Sequence, residues 1–281
     1  AVLKLLAQDR ALFNAEVWGA LPDLLPDLLE RQRLNSCVID DLDSGKPAFF
    51  GMTAWTSPAA ISALLERETG GFRNALLRTE MPGPRSLLLS RKQLAAANGS
   101  DDLALVHLCG CPDEMDFTAP RGFEVHRLAF SFFMTVHGGY QISEFWQENI
   151  VPEGSMYATT MGMTEIRNVP VGREEPARLF RFTEEDARAR PGAQLAYLMK
   201  YPPPRLGFTS AEKQLLELAL LDYSDVAASE ELGITHEAVR KRWRGIHARH
   251  SFGEGKDQRR GVLAYVRQHL EELRPWATRR P

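Results

Sequence analysis

The chain has 281 residues, 44% of them apolar and 25% charged, with a net charge of −3. These are the proportions of an ordinary globular protein, and they exclude a disordered chain, a fibre or a global polycation. No apolar run approaches the roughly 18 to 20 residues of a membrane-spanning helix, so no membrane partner is expected. Three cysteines, Cys37, Cys109 and Cys111, make an odd number. The apolar start, Ala1 to Leu6, carries no basic leader, so a reducing, cytoplasmic setting without a disulfide framework is expected.

Residues 1–34 carry helical spacing at Leu5, Leu12, Phe13, Val17, Leu24, Leu25, Leu28 and Leu29, with Pro22 and Pro26 dividing the segment. Cys37-Val-Ile-Asp40 and Ala48 to Trp55 read as two strands around an Asp43-Ser-Gly-Lys46 turn, which is a hairpin signal. Ser57-Pro58 suits a helix N-cap and first turn, and that helix runs toward Gly70-Gly71. Ser86 to Ser90 reads as a short strand or a helix approach, and Ser90 to Ala97 as a helix. Leu103 to Cys109 and Val125 to Phe130 read as strands. Phe132 to Ile150 reads as an amphipathic helix, and Tyr157 to Ile166 as a late strand. Arg173 to Gln194 reads as loop with a short helix at Thr183 to Asp186. The mixed order predicts one α+β domain over residues 1–200, with a Pro202-Pro-Pro204 linker over 201–207.

Within that front domain, His107, Cys109 and Cys111 are metal-ligand residue types, and a regular strand places them on one face, with Asp113 or Glu114 able to complete a set. Free cysteine is also among the most buried residue types, so strand core is preferred and no metal is expected. Asp40-Asp41 lacks the later strand-end Asp of a phospho-acceptor domain. Ser44-Gly-Lys46 lacks the preceding glycine of a phosphate loop. No Ser/His/Asp spacing or carboxylate pair suggests catalysis, so the chain reads as a non-enzyme without an identified cofactor.

The last quarter is more specific. From Gly207 onward Lys and Arg number 13 against 11 Asp and Glu, while the preceding residues hold 21 against 26. Thr209-Ser-Ala-Glu212 fits a capping box, followed by apolar Leu215, Leu216, Leu218, Ala219 and Leu220. Ser224 caps a short helix, Leu232-Gly-Ile234 makes a turn, and Thr235 caps another helix. Along it Val239, Trp243 and Ile246 face inward and leave Arg240, Lys241 and Arg244 outward. That order predicts a helix-turn-helix over residues 208–276, whose second helix suits a DNA major groove. Thr235, His236, Glu237, Arg240, Lys241 and Arg244 are its candidate DNA-binding residues, with Glu237 read either as a base contact or as a complement to the helix dipole. Val262, Leu263, Val266 and Leu270, with Leu273, form an apolar seam on a terminal helix.

The run Phe208-Thr-Ser-Ala-Glu212 with Leu215-Leu216 and Leu218-Ala219, then Leu232-Gly-Ile-Thr235, then Ala238-Val239, Trp243 and Ile246, resembles the LuxR/NarL-type DNA-binding domain. The sequence departs from that pattern at Ala227-Ala-Ser229, at Arg249-His250 and in the longer loop 251–260. The resemblance implies a transcription regulator that binds double-stranded DNA as a homodimer through Val262, Leu263, Val266 and Leu270. RNA polymerase and a small-molecule effector are the further implied partners. The expected fold class is therefore an α+β sensor-like domain followed by an all-α helix-turn-helix domain. In the front domain the hairpin 38–55 with its following helix is similar to the start of PAS or GAF sensor domains. Residues 132–150, with His137-Gly-Gly-Tyr140, are similar in order to the acyl-CoA-binding half of an N-acetyltransferase-like fold. Two alternatives follow, an acyltransferase-like enzyme with a C-terminal interaction module and a metal- or thiol-responsive regulator.

Overall fold

Two helices, α1 (Val2–Gln8) and α2 (Ala15–Glu30), open the chain in the computed structural model, which describes residues 2–8, 12–68, 70–81, 86–100, 102–113, 116, 119–170, 176–252 and 257–275. Asn14 caps α2 by accepting from the Val17 amide at 2.9 Å. Val17, Leu21, Leu24, Leu25 and Leu28 form its buried stripe. Pro22 and Pro26 lie inside the helix rather than dividing it. They are one turn apart and both exposed, so the amides they lack fall on the solvent side.

The hairpin of β1 (Leu34–Asp41) and β2 (Lys46–Thr56) follows. Its turn is held by Asp41, whose carboxylate accepts from the amides of Asp43 and Ser44 at 2.9 and 3.1 Å. Next come α3 (Pro58–Arg67), capped by Ser57 as expected, α4 (Phe72–Arg78) and α5 (Arg91–Ala97). Then follow β3 (Ala104–Pro112), α6 (Pro120–His137) and β4 (Glu144–Asn149). The unit is completed by α7 (Pro152–Thr160), β5 (Thr164–Val169), β6 (Ala177–Thr183) and α8 (Glu184–Ala189).

Four expected boundaries change. Residues 125–130 lie inside α6, where Val125 and Ala129 are buried at helical spacing. The helix expected over 132–150 stops at His137, and the segment ends as strand β4. The strand expected over 157–166 is α7 followed by β5. The loop expected over 173–194 holds β6, an interior strand with Leu179 and Phe180 buried on opposite faces. Thr183 and Asp186 form the capping box of α8.

The six strands form one sheet in the order β1-β2-β3-β4-β6-β5. Only β3 and β4 run parallel, and α6 is the crossover that a parallel pair requires. One face of the sheet carries Phe50, Met52, Ala54, Val106, Trp146 and Leu179 into a core shared with α1 to α4. The opposite face carries Leu105, Phe145, Phe180 and Phe182, all at most 3% exposed.

A buried carboxylate ties β4 to α4. Glu148 accepts from the Phe72 and Arg73 amides at 2.5 and 3.1 Å, which satisfies the open start of α4. The Arg73 guanidinium donates back to the carbonyls of Glu148 and Leu12.

Residues 200–275 and His137–Tyr140 form a second compact unit, and the other described residues up to 199 form the first. The second unit contains α9 (Ser210–Leu220), α10 (Asp225–Glu231), α11 (His236–Arg249) and α12 (Asp257–Gln268). Thr209 with Glu212, Ser224 and Thr235 cap the first three as the sequence predicted. Its core joins Leu215, Leu216, Val239, Trp243, Ile246, Val262 and Val266.

The expected class, an α+β sensor-like domain followed by an all-α helix-turn-helix domain, is corrected. The chain is a mixed α/β protein organised on one six-stranded sheet. Its helical unit takes in the last residue of α6 and the three that follow it, so the C-terminal helices are not a self-contained module.

Glu148→Ala leaves the two helix-start amides of Phe72 and Arg73 without their buried acceptor. It should lower unfolding free energy by about 3 kcal/mol in urea titration, with Glu148→Gln falling between it and the wild-type chain.

Candidate functional site

The strand pairing of β2 with β3 slips by one residue. Met52 stands opposite Cys109, but Thr53 stands opposite His107, so Leu108 is an extra residue in β3. The slip reverses the alternation beyond it. Cys109 and Cys111 turn into the core that already holds Val106 and Leu108. His107 points to the other face, with Thr53. The expectation that His107, Cys109 and Cys111 share one face is corrected by this bulge.

Burial and a mutual hydrogen bond raise the Cys109 thiol well above its usual range, and burial raises Cys37 to about 11. Both are therefore protonated at neutral pH, which suits core packing and not metal binding or nucleophilic attack. Among the described residues no group of three His, Cys, Asp or Glu side chains is placed to hold a metal. Glu114, the alternative fourth ligand, lies outside them.

On the His107 face, two glycines stand side by side across the strands, Gly51 on β2 and Gly110 on β3. The Phe49 ring lies over both. A Cβ on Gly51 would sit 2.8 Å from its Cε1, and one on Gly110 would sit 3.5 Å from its Cζ and 3.3 Å from His107 Nε2. Phe49 and His107 thus form a half-buried ring shelf; a side chain at Gly51 would displace the Phe49 ring, and one at Gly110 would crowd the His107 ring. The Nδ1 of His107 is shut off from solvent and has no hydrogen-bond partner. Burial, assisted by the Arg73 charge, pushes the imidazole down to about 4, so it is neutral at physiological pH.

Helix α6 is held at two points along this face. Near its C-terminal end Phe133 packs on Phe145 with ring centroids 5.5 Å apart. At its start Arg121 pairs with Asp113 at 2.7 Å and Asp41 at 3.1 Å. Phe145 stands opposite Leu105, and Asp113 follows the end of β3. The stretch of β3 carrying His107 and Gly110 therefore lies between the two holding points. The buried residues of α6 over that stretch are small, Gly122, Val125 and Ala129. Beside them His126 meets Tyr157 of α7 edge-on at 5.0 Å. This face therefore joins the Phe49 and His107 rings, small buried side chains on α6 and one imidazole nitrogen without a hydrogen-bond partner.

The sequence did not single out Phe49, Gly51, Gly110 or α6 as a site. The available signal was Gly51 and Gly110 inside two strongly apolar strand patterns, where glycine marks a close approach.

In the helical unit the expected DNA-facing residues lie along α11 and at its cap. Thr235, Glu237, Arg240, Lys241 and Arg244 are exposed, and His236 is half-buried. Arg244 pairs with Glu237 at 2.6 Å. Two other cations of the basic run serve the fold, with Arg242 donating to the Ala211 carbonyl and Arg249 pairing with Glu212. Of the residues assigned to dimerisation, Val262 and Val266 are wholly buried in this unit's own core. Leu263 and Leu270 pack against that core, partly buried.

No family model and no curated protein matches the chain. Among solved structures the chain is similar to the C-terminal condensation domain of Ebony in complex with beta-alanyl-dopamine, at 14% identity and a TM-score of 0.35, over 59% of this chain and 79% of that one. It is also similar to a bacterial toxin, at 12% identity and a TM-score of 0.33, over 64% of this chain and 84% of that one. Neither is a LuxR/NarL-type regulator by its description. Membership of that family, with the transcription-regulatory role attached to it, is withdrawn. So are the PAS, GAF and N-acetyltransferase likenesses of the front domain and the expectation of a non-enzyme.

The buried histidines make stability depend on pH. Burial lowers His107, His126 and His247 below the usual imidazole value of about 6.5. Below that value the unfolded chain binds protons that the folded chain refuses, so stability is complete above pH about 6.5 and falls as the pH drops toward 4. Urea midpoints measured from pH 7.5 down to 4.5 should show this decline, and His107→Gln should make it shallower.

Proposed function

We propose that the sheet unit binds a small, largely apolar, acyl-bearing molecule in a slot beneath α6, and that His107 assists transfer of its acyl group. The observation that carries this reading is the His107 Nδ1, shut off from solvent and unpartnered beside a ring shelf that two glycines keep open. A buried nitrogen without a partner costs free energy that a ligand's hydroxyl or amine hydrogen restores. The ring is unprotonated at neutral pH, as a proton acceptor must be. In the proposed step His107 takes the proton of an attacking hydroxyl or amine while that group adds to the acyl carbonyl. The departing group leaves with the proton, and the imidazole returns to its neutral state.

The reading also takes the cytoplasm as the setting, supported by three cysteines none of which is in a disulfide. No helix among the described residues is long and apolar enough to cross a membrane. For the helical unit, the exposed Arg240 and Lys241 on α11 support a polyanion such as duplex DNA as a binding partner, with no regulatory role implied. Arg240→Ala with Lys241→Ala should then weaken retention on a DNA column at low salt, and unchanged retention removes that partner.

Octanoic acid, titrated calorimetrically, should bind the wild-type chain, and Gly110→Val should abolish the heat while far-ultraviolet dichroism stays unchanged. With an octanoyl thioester and an amine acceptor, free thiol should be released, and His107→Ala should slow release by about 10²-fold or more. Thiol release as fast in His107→Ala as in wild type would remove acyl transfer. Binding without thiol release would leave a binding unit.

A further inference from the structure

The loop between α6 and β4 is gripped by groups of different origin at its two ends. Residues His137–Tyr140 belong to the helical unit. Arg274, 4% exposed, donates its Nε to the Gly138 carbonyl at 2.8 Å and lays its guanidinium 4.9 Å from the Tyr140 ring centroid. Gly139 has φ +81°, and a Cβ there would lie 2.2 Å from the Glu271 amide nitrogen, so the C-terminal chain runs directly against the loop backbone. Arg274 is itself fixed, by Glu217 at 3.4 Å and by Lys213, whose Nζ donates to the Arg274 carbonyl at 2.6 Å. The next residue, Gln141, answers to the sheet unit. Its amide donates at 2.7 Å to Asn98, which is fully buried, and Ser143 donates to the Leu103 carbonyl at 2.9 Å.

We infer that Gly138–Tyr140 is a mechanical link, through which order in α6 and order in the helical unit depend on each other. His137 is the last residue of α6, and the slot's roof therefore continues, without an intervening free residue, into a segment locked by Arg274 and Glu271. A change that loosens the Arg274 grip frees the end of the roof. A molecule that fixes the roof restricts the loop and, through Arg274, the α9 residues Lys213 and Glu217. By linkage the two effects are equal in size. That a ligand is the trigger rests on the slot reading given above. The link itself does not.

Hydrogen exchange on the full chain, followed by mass spectrometry, tests both parts. Without ligand, Tyr140→Leu and Arg274→Met should each raise exchange over residues 125–137 by roughly five- to tenfold and leave the β1–β2 hairpin unchanged. Wild-type exchange in α6 in both variants would overturn the link. Should Arg274→Met unfold the helical unit, α6 must still lose protection while the hairpin keeps it, and retained protection overturns the link equally. With octanoic acid, wild-type protection should rise both in α6 and over residues 210–217, and Tyr140→Leu should keep the first rise and lose the second. Binding of octanoic acid with no change over 210–217 would overturn the transmission. Absence of octanoic acid binding would count against the slot and leave the ligand-free comparison to decide the link.

Discussion

The extra residue at Leu108 in β3 is the constraint on which the site depends. A regular strand would send His107, Cys109 and Cys111 to one face and would leave the layer against α1 to α4 short of two side chains. By inserting one residue, the strand sends both cysteines into that layer and leaves His107 on the face roofed by α6. The two faces then differ in kind. One is packed along β2 and β3 by apolar side chains from four helices, and the other holds, beside its buried Leu105 and Phe145, a half-buried ring shelf at Gly51 and Gly110.

The same strand is the pivot of the topology. β3 pairs antiparallel with β2 and parallel with β4, so α6 must cross from one end of the sheet to the other. The crossover places a long helix over the shelf, and the ends of that helix are fixed by unlike forces. Arg121 holds the start by an exposed ion pair, which is weak in water and screened by salt. The other end runs into a buried loop, where Arg274 is desolvated and hydrogen-bonded, and where its contacts are correspondingly stronger. Helix α6 is therefore held more firmly at the loop end than at the Arg121 end.

In the helical unit much of what looked like binding equipment is employed in folding. Glu212 closes a capping box and receives Arg249, Arg242 bonds the Ala211 carbonyl, and Val262 and Val266 fill the core. A basic run and an apolar seam are each necessary to several kinds of surface, and this unit uses Arg242, Arg249, Val262 and Val266 in its own packing while Arg240, Lys241 and Arg244 stay exposed. That is the physical reason the family likeness read from these residues reached further than the molecule does.

The sequence by itself determined the features that depend on neighbours close in the chain. The caps at Ser57, Thr209, Ser224 and Thr235, the β1–β2 hairpin, and the inward stripe of Val239, Trp243 and Ile246 all rest on bonds or periods within a few residues. Only the tertiary structure decided the rest. The register slip at Leu108 is set by β2, the helical state of 125–130 by burial against the sheet, and the strand state of 177–183 by its place between β4 and β5. The membership of Gly138–Tyr140 in the helical unit is set by Arg274, far away in the chain. These are choices between local conformations of similar intrinsic energy, and partners distant in sequence tip them.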